Sequence, residues 1–153
     1  MNGWPTLKKI IMQLSTNLSE KLYAAFPLLY RNRHKPSDES SMTWGFECGD
    51  GWFQFLQDLS QKLSTYQAVH PELDFAVEQV KSKFGSLRFT LIGGDAATEE
   101  MIEAACQRAS VTCELTGKPG QLCENPARRF SAMVLCPEKA AELGYSMVAQ
   151  TLQ

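Results

Sequence analysis

The chain has 153 residues, 44% of them hydrophobic, which suits one buried core and a single domain over 1–153. Fifteen basic and seventeen acidic side chains leave a formal charge of −2, which excludes a general attraction to an anionic membrane and argues against nucleic acid as the partner. The five cysteines lack the paired spacing of a secreted disulfide scaffold and read as free thiols or metal ligands in a reducing compartment.

Lys8 and Lys9 precede apolar residues that Gln13, Ser15, Thr16 and Asn17 interrupt, so no secretory signal is legible. The longest apolar run, from Tyr23 to Tyr30, is too short to span a bilayer and contains Pro27. A cytoplasmic protein with no membrane association is the expectation.

Leu7, Ile10, Ile11, Leu14, Leu18, Leu22 and Phe26 recur at three- and four-residue spacing, which predicts a helix from Thr6 to Ala25 that Pro27 stops. From 28 to 51 the sequence is irregular and rich in turn residues, the pattern of a long surface loop. Asp50 stands as the cap of a second helix whose apolar face is Trp52, Phe53, Phe55, Leu56, Leu59 and Leu63. Phe75 to Lys81 and Leu87 to Ile92 are β-rich runs separated by Ser82-Lys-Phe-Gly-Ser86, which predicts an antiparallel hairpin.

A third helix, Thr98 to Ala109, turns Met101, Ile102, Ala105, Cys106 and Ala109 inward and Glu99, Glu100, Glu103 and Arg108 outward or to its edge. Beyond a cysteine-containing loop come a strand from Phe130 to Cys136, a short helix near Pro137, and a tail over 145–153 that frays. The fold class is therefore α+β: an antiparallel sheet, built on the hairpin and extended by the 130–136 strand, packs against three helices. Trp52, Phe53, Leu56, Leu59, Val77, Leu87, Phe89, Ile102 and Val134 form the expected core.

Cys113-Glu-Leu-Thr116-Gly-Lys-Pro-Gly120, Cys123 and Leu135-Cys136-Pro-Glu-Lys139 follow the layout of a zinc knuckle. Thr116 and Lys139 stand where the second and fourth ligands belong, and neither a hydroxyl nor an ammonium replaces a thiolate or imidazole on zinc. The expectation is no metal and no cofactor; any residual metal would fall to Cys113, Cys123 and Cys136. Cys48 precedes a helix start whose amides would lower a thiol pKa, yet neither His34 nor His70 can be tied to it from sequence. Gly49, Gly51, Gly93 and Gly94 lack phosphate-loop spacing and read as turn residues. Lys81, Lys83, Phe84, Arg88 and Phe89 mix cations with aromatics as single-strand nucleic-acid binders do, although strand alternation alone explains the pattern. No catalytic constellation is legible, so the chain is not expected to be an enzyme.

Trp44-Gly-Phe-Glu-Cys-Gly-Asp-Gly-Trp-Phe53, Glu78-Gln-Val-Lys-Ser-Lys-Phe-Gly-Ser-Leu-Arg-Phe89 and the Cys113–Gly120 turn followed by Leu135-Cys136 resemble a family of short bacterial and prophage proteins with a zinc-knuckle turn. The chain also resembles immunity proteins of polymorphic toxins of the Rhs or type VI secretion kind. That resemblance implies a protein that binds a cognate protein toxin directly and occludes its active site. Interfaces draw anchors from Arg and aromatic residues on loops, so Arg31, Arg33, Asp38, Glu39 and Trp44 are the expected partner-binding residues. Glu99, Glu100 and Glu103 would add charge complementary to a basic toxin. The alternatives are a phage-type nucleic-acid-binding or regulatory adaptor using the hairpin and knuckle, and a thiol enzyme centred on Cys48.

Overall fold

The computed structural model describes residues 12–149. Its first helix, α1, spans Thr16–Ala25. Residues 6–11 of the expected helix lie outside the described residues, and the described residues before Thr16 are not helical. There, long-range bonds replace helical ones: the Leu14 amide donates to the Phe46 carbonyl at 3.0 Å and the Ser15 amide to Asp50 Oδ1 at 2.7 Å. Leu14 still reaches the core.

The stretch from 28 to 51 is a surface loop only in part: residues 34–39 and 43–44 are exposed, but much of the rest is threaded into the core. Leu29, Tyr30, Asn32, Ser40, Met42, Phe46 and Cys48 are all buried. Two short 3-10 turns, Arg31–His34 and Ser41–Trp44, satisfy part of its backbone. Strand β1, Phe46–Glu47, pairs in parallel with β2, Ala76–Lys83, placing Phe46 beside Val80. The rings of Tyr23, Tyr30 and Phe46 pack together with centroids 5.1 to 5.9 Å apart. The Tyr30 hydroxyl lies 2.6 Å from the Ser60 hydroxyl on the next helix.

Helix α2 spans Phe53–Val69 and follows a 3-10 turn over Asp50–Trp52. Asp50 does not cap it: Trp52 holds the cap position, and Asp50 lies in the preceding turn, where its Oδ1 accepts from the Ser15 amide. Phe55, Leu56, Leu59 and Leu63 form the buried face, while Phe53 is only half-buried. The β2 strand turns back into β3, Ser86–Ile92, through Phe84 and Gly85, whose φ of 53° and 82° match the paired left-handed residues of a type I′ hairpin. Leu87 and Phe89 point inward along β3. Helix α3, Ala96–Ala109, starts at a capping box in which Asp95 and Thr98 satisfy each other's amides. It buries Ile102, Ala105 and Ala109 and leaves Met101 and Cys106 half-buried.

The expected 130–136 strand does not extend this sheet. It is shorter, β5 at Met133–Leu135, and pairs antiparallel with β4, Gln121–Glu124, in a second sheet. Helix α4, Pro137–Leu143, ends at left-handed Gly144. Strand β6, Ser146–Met147, then pairs with the free side of β4, so the tail is structured at that point; residues 150–153 lie outside the described residues. The fold is α+β, with four helices and two three-stranded sheets, β1-β2-β3 and β5-β4-β6, among the described residues. The main core lies between the first sheet and its helices, and a smaller one gathers Cys113, Cys123, Leu135, Cys136 and Ala140.

Candidate functional site

Three motifs that lie far apart in sequence meet at one buried carboxylate, Glu114, whose exposure is 1%. Its Oε1 accepts from the Ser82 hydroxyl at 2.8 Å and its Oε2 from the Gly49 amide at 3.2 Å. The Glu114 carbonyl accepts from the Gly51 amide at 2.8 Å, and its own amide donates to the Val134 carbonyl at 2.9 Å. One residue thus ties the Gly49-Asp-Gly51 segment, the hairpin and the second sheet together. Burial pushes the Glu114 carboxyl above its ordinary value, and the hydrogen bonds from Ser82 and Gly49 pull against that shift.

The two glycines are there for space. A Cβ on Gly49 would meet the Glu114 carbonyl, and one on Gly51 would meet the backbones of Cys113, Glu114 and Gly117. Both belong to the turn the sequence predicts, since the Trp52 amide donates to the Gly49 carbonyl at 3.2 Å. Neither is among the left-handed glycines, and what requires glycine is the close approach of two backbones. Trp52 completes the junction by donating its indole N–H to the Thr112 carbonyl at 3.0 Å.

Above Glu114 a groove of about 600 Å³ opens between the two sheets. Lys81, Ser82, Lys83 and Phe84 line it from the hairpin, Arg128 and Phe130 from the β4–β5 connection, and Tyr145 from the approach to β6. Sequence reasoning found Lys81, Lys83 and Phe84 but missed Ser82, Glu114, Arg128 and Phe130. Ser82 looked like a turn residue, and Glu114 sat unnoticed between expected metal ligands. The acid embedded in an otherwise neutral Cys-Glu-Leu-Thr-Gly turn was the one available signal. Phe89, grouped with these residues in the sequence, is instead in the core.

The knuckle cysteines Cys113, Cys123 and Cys136 are buried together. The Thr116 hydroxyl is 3.6 Å from Cys136 Sγ, so Thr116 packs on the thiols from the position of a missing ligand. Lys139 directs its Nζ to Glu142 at 2.7 Å. Burial pushes the Cys113 thiol up, but the Thr116 hydroxyl and the amides of Cys136, Leu115 and Thr116 outweigh it and leave the thiol below its usual value. Among the described residues no group of three or more His, Cys, Asp or Glu side chains is arranged to hold a metal ion.

Cys48 is fully buried, and burial followed by the charges of Glu114, Asp50 and Glu47 pushes its thiol far up. The expected lowering by helix-start amides is overturned: the segment after Cys48 begins as a 3-10 turn, and acids surround the sulfur. His34 accepts from the Arg33 Nε at 3.0 Å, and His70 stacks on Tyr66 at 4.1 Å.

The expected partner-binding residues divide. Arg31 is committed to the fold, donating to the Leu28 and Phe75 carbonyls and pairing with Asp74 at 3.0 Å. Arg33 lies over the Tyr23 ring at 4.1 Å and pairs with Glu20 at 3.4 Å. Trp44, 58% exposed, stands beside Arg33 and His34 along a shallow cleft of about 280 Å³. Asp38 and Glu39 are exposed on the turn just before it. Glu99, Glu100 and Glu103 are exposed on α3, which packs on α2 and β3, whereas the Trp44 turn packs on β2 near β1. Since β1 and β3 flank β2 on opposite sides, the two acidic groups do not form one surface.

In comparisons with family models, curated proteins and solved structures, nothing matches the chain.

Proposed function

We propose that the chain is a non-enzymatic, cytoplasmic binding protein of the immunity or antitoxin type, which neutralises a cognate bacterial toxin by binding it directly and covering its active site. The observation that carries this reading is Trp44. A large ring, 58% exposed, projects from a turn whose neighbour Met42 is buried and whose start is capped by the Ser40 hydroxyl. A rigid turn presenting an exposed aromatic loses little conformational freedom on binding, which is the property of an interface anchor. Arg33, already oriented against Tyr23 and Glu20, adds a second anchor type, and Asp38 and Glu39 add charge that suits a basic partner.

Cys48 weighs against the thiol-enzyme alternative, since a buried, neutral thiol beside carboxylates offers neither access nor a thiolate. No helix among the described residues is long and apolar enough to cross a membrane.

The test is growth of cells that express a toxin domain recovered with this chain by pull-down from its native cell. Co-expression of the wild-type chain is expected to restore growth, and Trp44→Ala at equal abundance to restore it poorly. Absence of both rescue and complex would overturn the reading.

A further inference from the structure

Only two non-glycine residues among those described adopt a left-handed backbone, Phe84 with φ 53° and Phe130 with φ 58°. Such a conformation is unfavourable for a bulky side chain, and residues held in it concentrate at functional sites. The two rings are 52% and 80% exposed, so neither is there to fill the core. They come from turns of two different sheets, the β2–β3 turn and the β4–β5 connection, yet their centroids lie 5.8 Å apart, tilted at 47°, and both line the groove above Glu114. Folding alone would be served better by Asn or Gly at either position.

The same groove gathers cations. Lys81 and Lys83 alternate along one face of β2, with Lys83 Nζ 5.8 Å from the Phe84 ring centre, and Arg128 approaches from the second sheet. On the groove floor, the half-buried Ser82 hydroxyl, held by its donation to the buried Glu114 carboxylate, keeps an acceptor site free. Exposed ring faces, a cationic track and a polar floor in a space of about 600 Å³ match a ligand with a flat base and flanking phosphates.

We infer that the groove between the two sheets binds single-stranded nucleic acid. A base stacks on Phe84 and Phe130, the neighbouring phosphates meet Lys81, Lys83 and Arg128, and the Ser82 hydroxyl faces the edge of the base. A duplex keeps its bases in the stack and cannot reach the rings. Glu47 and Glu114 also line the groove, so stacking carries more of the affinity than charge does. This site is independent of the Trp44 surface.

Fluorescence anisotropy of the whole chain with labelled, mixed-sequence single-stranded DNA and RNA oligonucleotides tests the inference, with the matching duplex and free mononucleotides as competitors. Single strands are expected to bind and the duplex to compete poorly. Phe84→Asn and Phe130→Asn, which suit a left-handed backbone and so preserve the turns, should each weaken binding about tenfold. The double variant Lys81→Gln/Lys83→Gln should flatten the logarithmic salt dependence by about 0.7 for each phosphate it no longer neutralises. Four results would each overturn the inference: no binding of single strands at low salt, equal binding of the duplex, full competition by mononucleotides, or undiminished affinity in both ring variants. A protein partner that fails to bind the ring variants, while single strands never bind the wild-type chain, would likewise assign the groove to protein.

Discussion

Glu114 couples fold and site through one side chain, and it makes stability depend on pH in a defined direction. Because its folded-state carboxyl sits above the ordinary value of 4.5, the folded chain holds that proton more tightly than the unfolded chain does. The contribution of this group to stability is therefore complete below the ordinary value and is lost as pH rises through the raised one. Gln at this position stays neutral throughout. The melting temperature of Glu114→Gln relative to wild type should therefore climb between acidic and neutral pH, and a constant difference would contradict the burial argument. Phe84 gives a second test at the same scale. Replacing it with Asn should raise unfolding stability by about 1 kcal/mol in denaturant titrations, since Asn tolerates the left-handed turn better than a phenyl-bearing residue. A residue costly to the fold and exposed at a groove is the expected mark of a site that evolved for binding.

At the level of elements, the junction between the Gly49–Trp52 segment and the knuckle turn depends on the absence of two Cβ atoms. Gly51→Ala should destabilise the protein by roughly 1–3 kcal/mol or more, because rigid backbone from Cys113 to Gly117 blocks the new methyl group. Gly144 makes the contrasting control. It has open space around it and a φ of 76°, so Gly144→Ala should cost about 1 kcal/mol from backbone conformation alone. Denaturant midpoints of the two variants separate close approach from left-handed geometry, and a Gly51→Ala variant as stable as wild type would remove the proposed junction.

Helices α2 and α3 and the hairpin were legible because each carries its periodicity within one contiguous segment. The 28–51 stretch was not, since its buried residues follow neither the helical nor the strand period and are placed by tertiary bonds such as the Val77 amide donating to the Leu29 carbonyl. The second sheet was hidden for a related reason. Its strands are two to four residues long, and Cys123, read as a possible metal ligand, is a buried strand residue.

Across the whole molecule, the α+β class was readable from sequence, but its division into two sheets was not, and the groove exists only because of that division. The three motifs behind the family resemblance were visible one by one. Their convergence on Glu114 needed coordinates, because hydrogen bonds spanning 32 and 65 residues leave no local pattern. Of the expected partner-binding residues, the Arg33–Trp44 surface assembles in one place, whereas the α3 acids sit toward the opposite edge of the first sheet and Arg31 serves the fold.

That surface sets the decisive measurement. Titration calorimetry of the purified chain against a toxin domain recovered with it by pull-down, in wild-type and Trp44→Ala forms, reads partner binding directly. The expected result is a one-to-one complex that Trp44→Ala weakens about thirtyfold, the change typical of a central aromatic anchor, with no shift in melting temperature because the ring is exposed. No complex with the wild-type chain, or equal affinity in a stably folded Trp44→Ala variant, would contradict it.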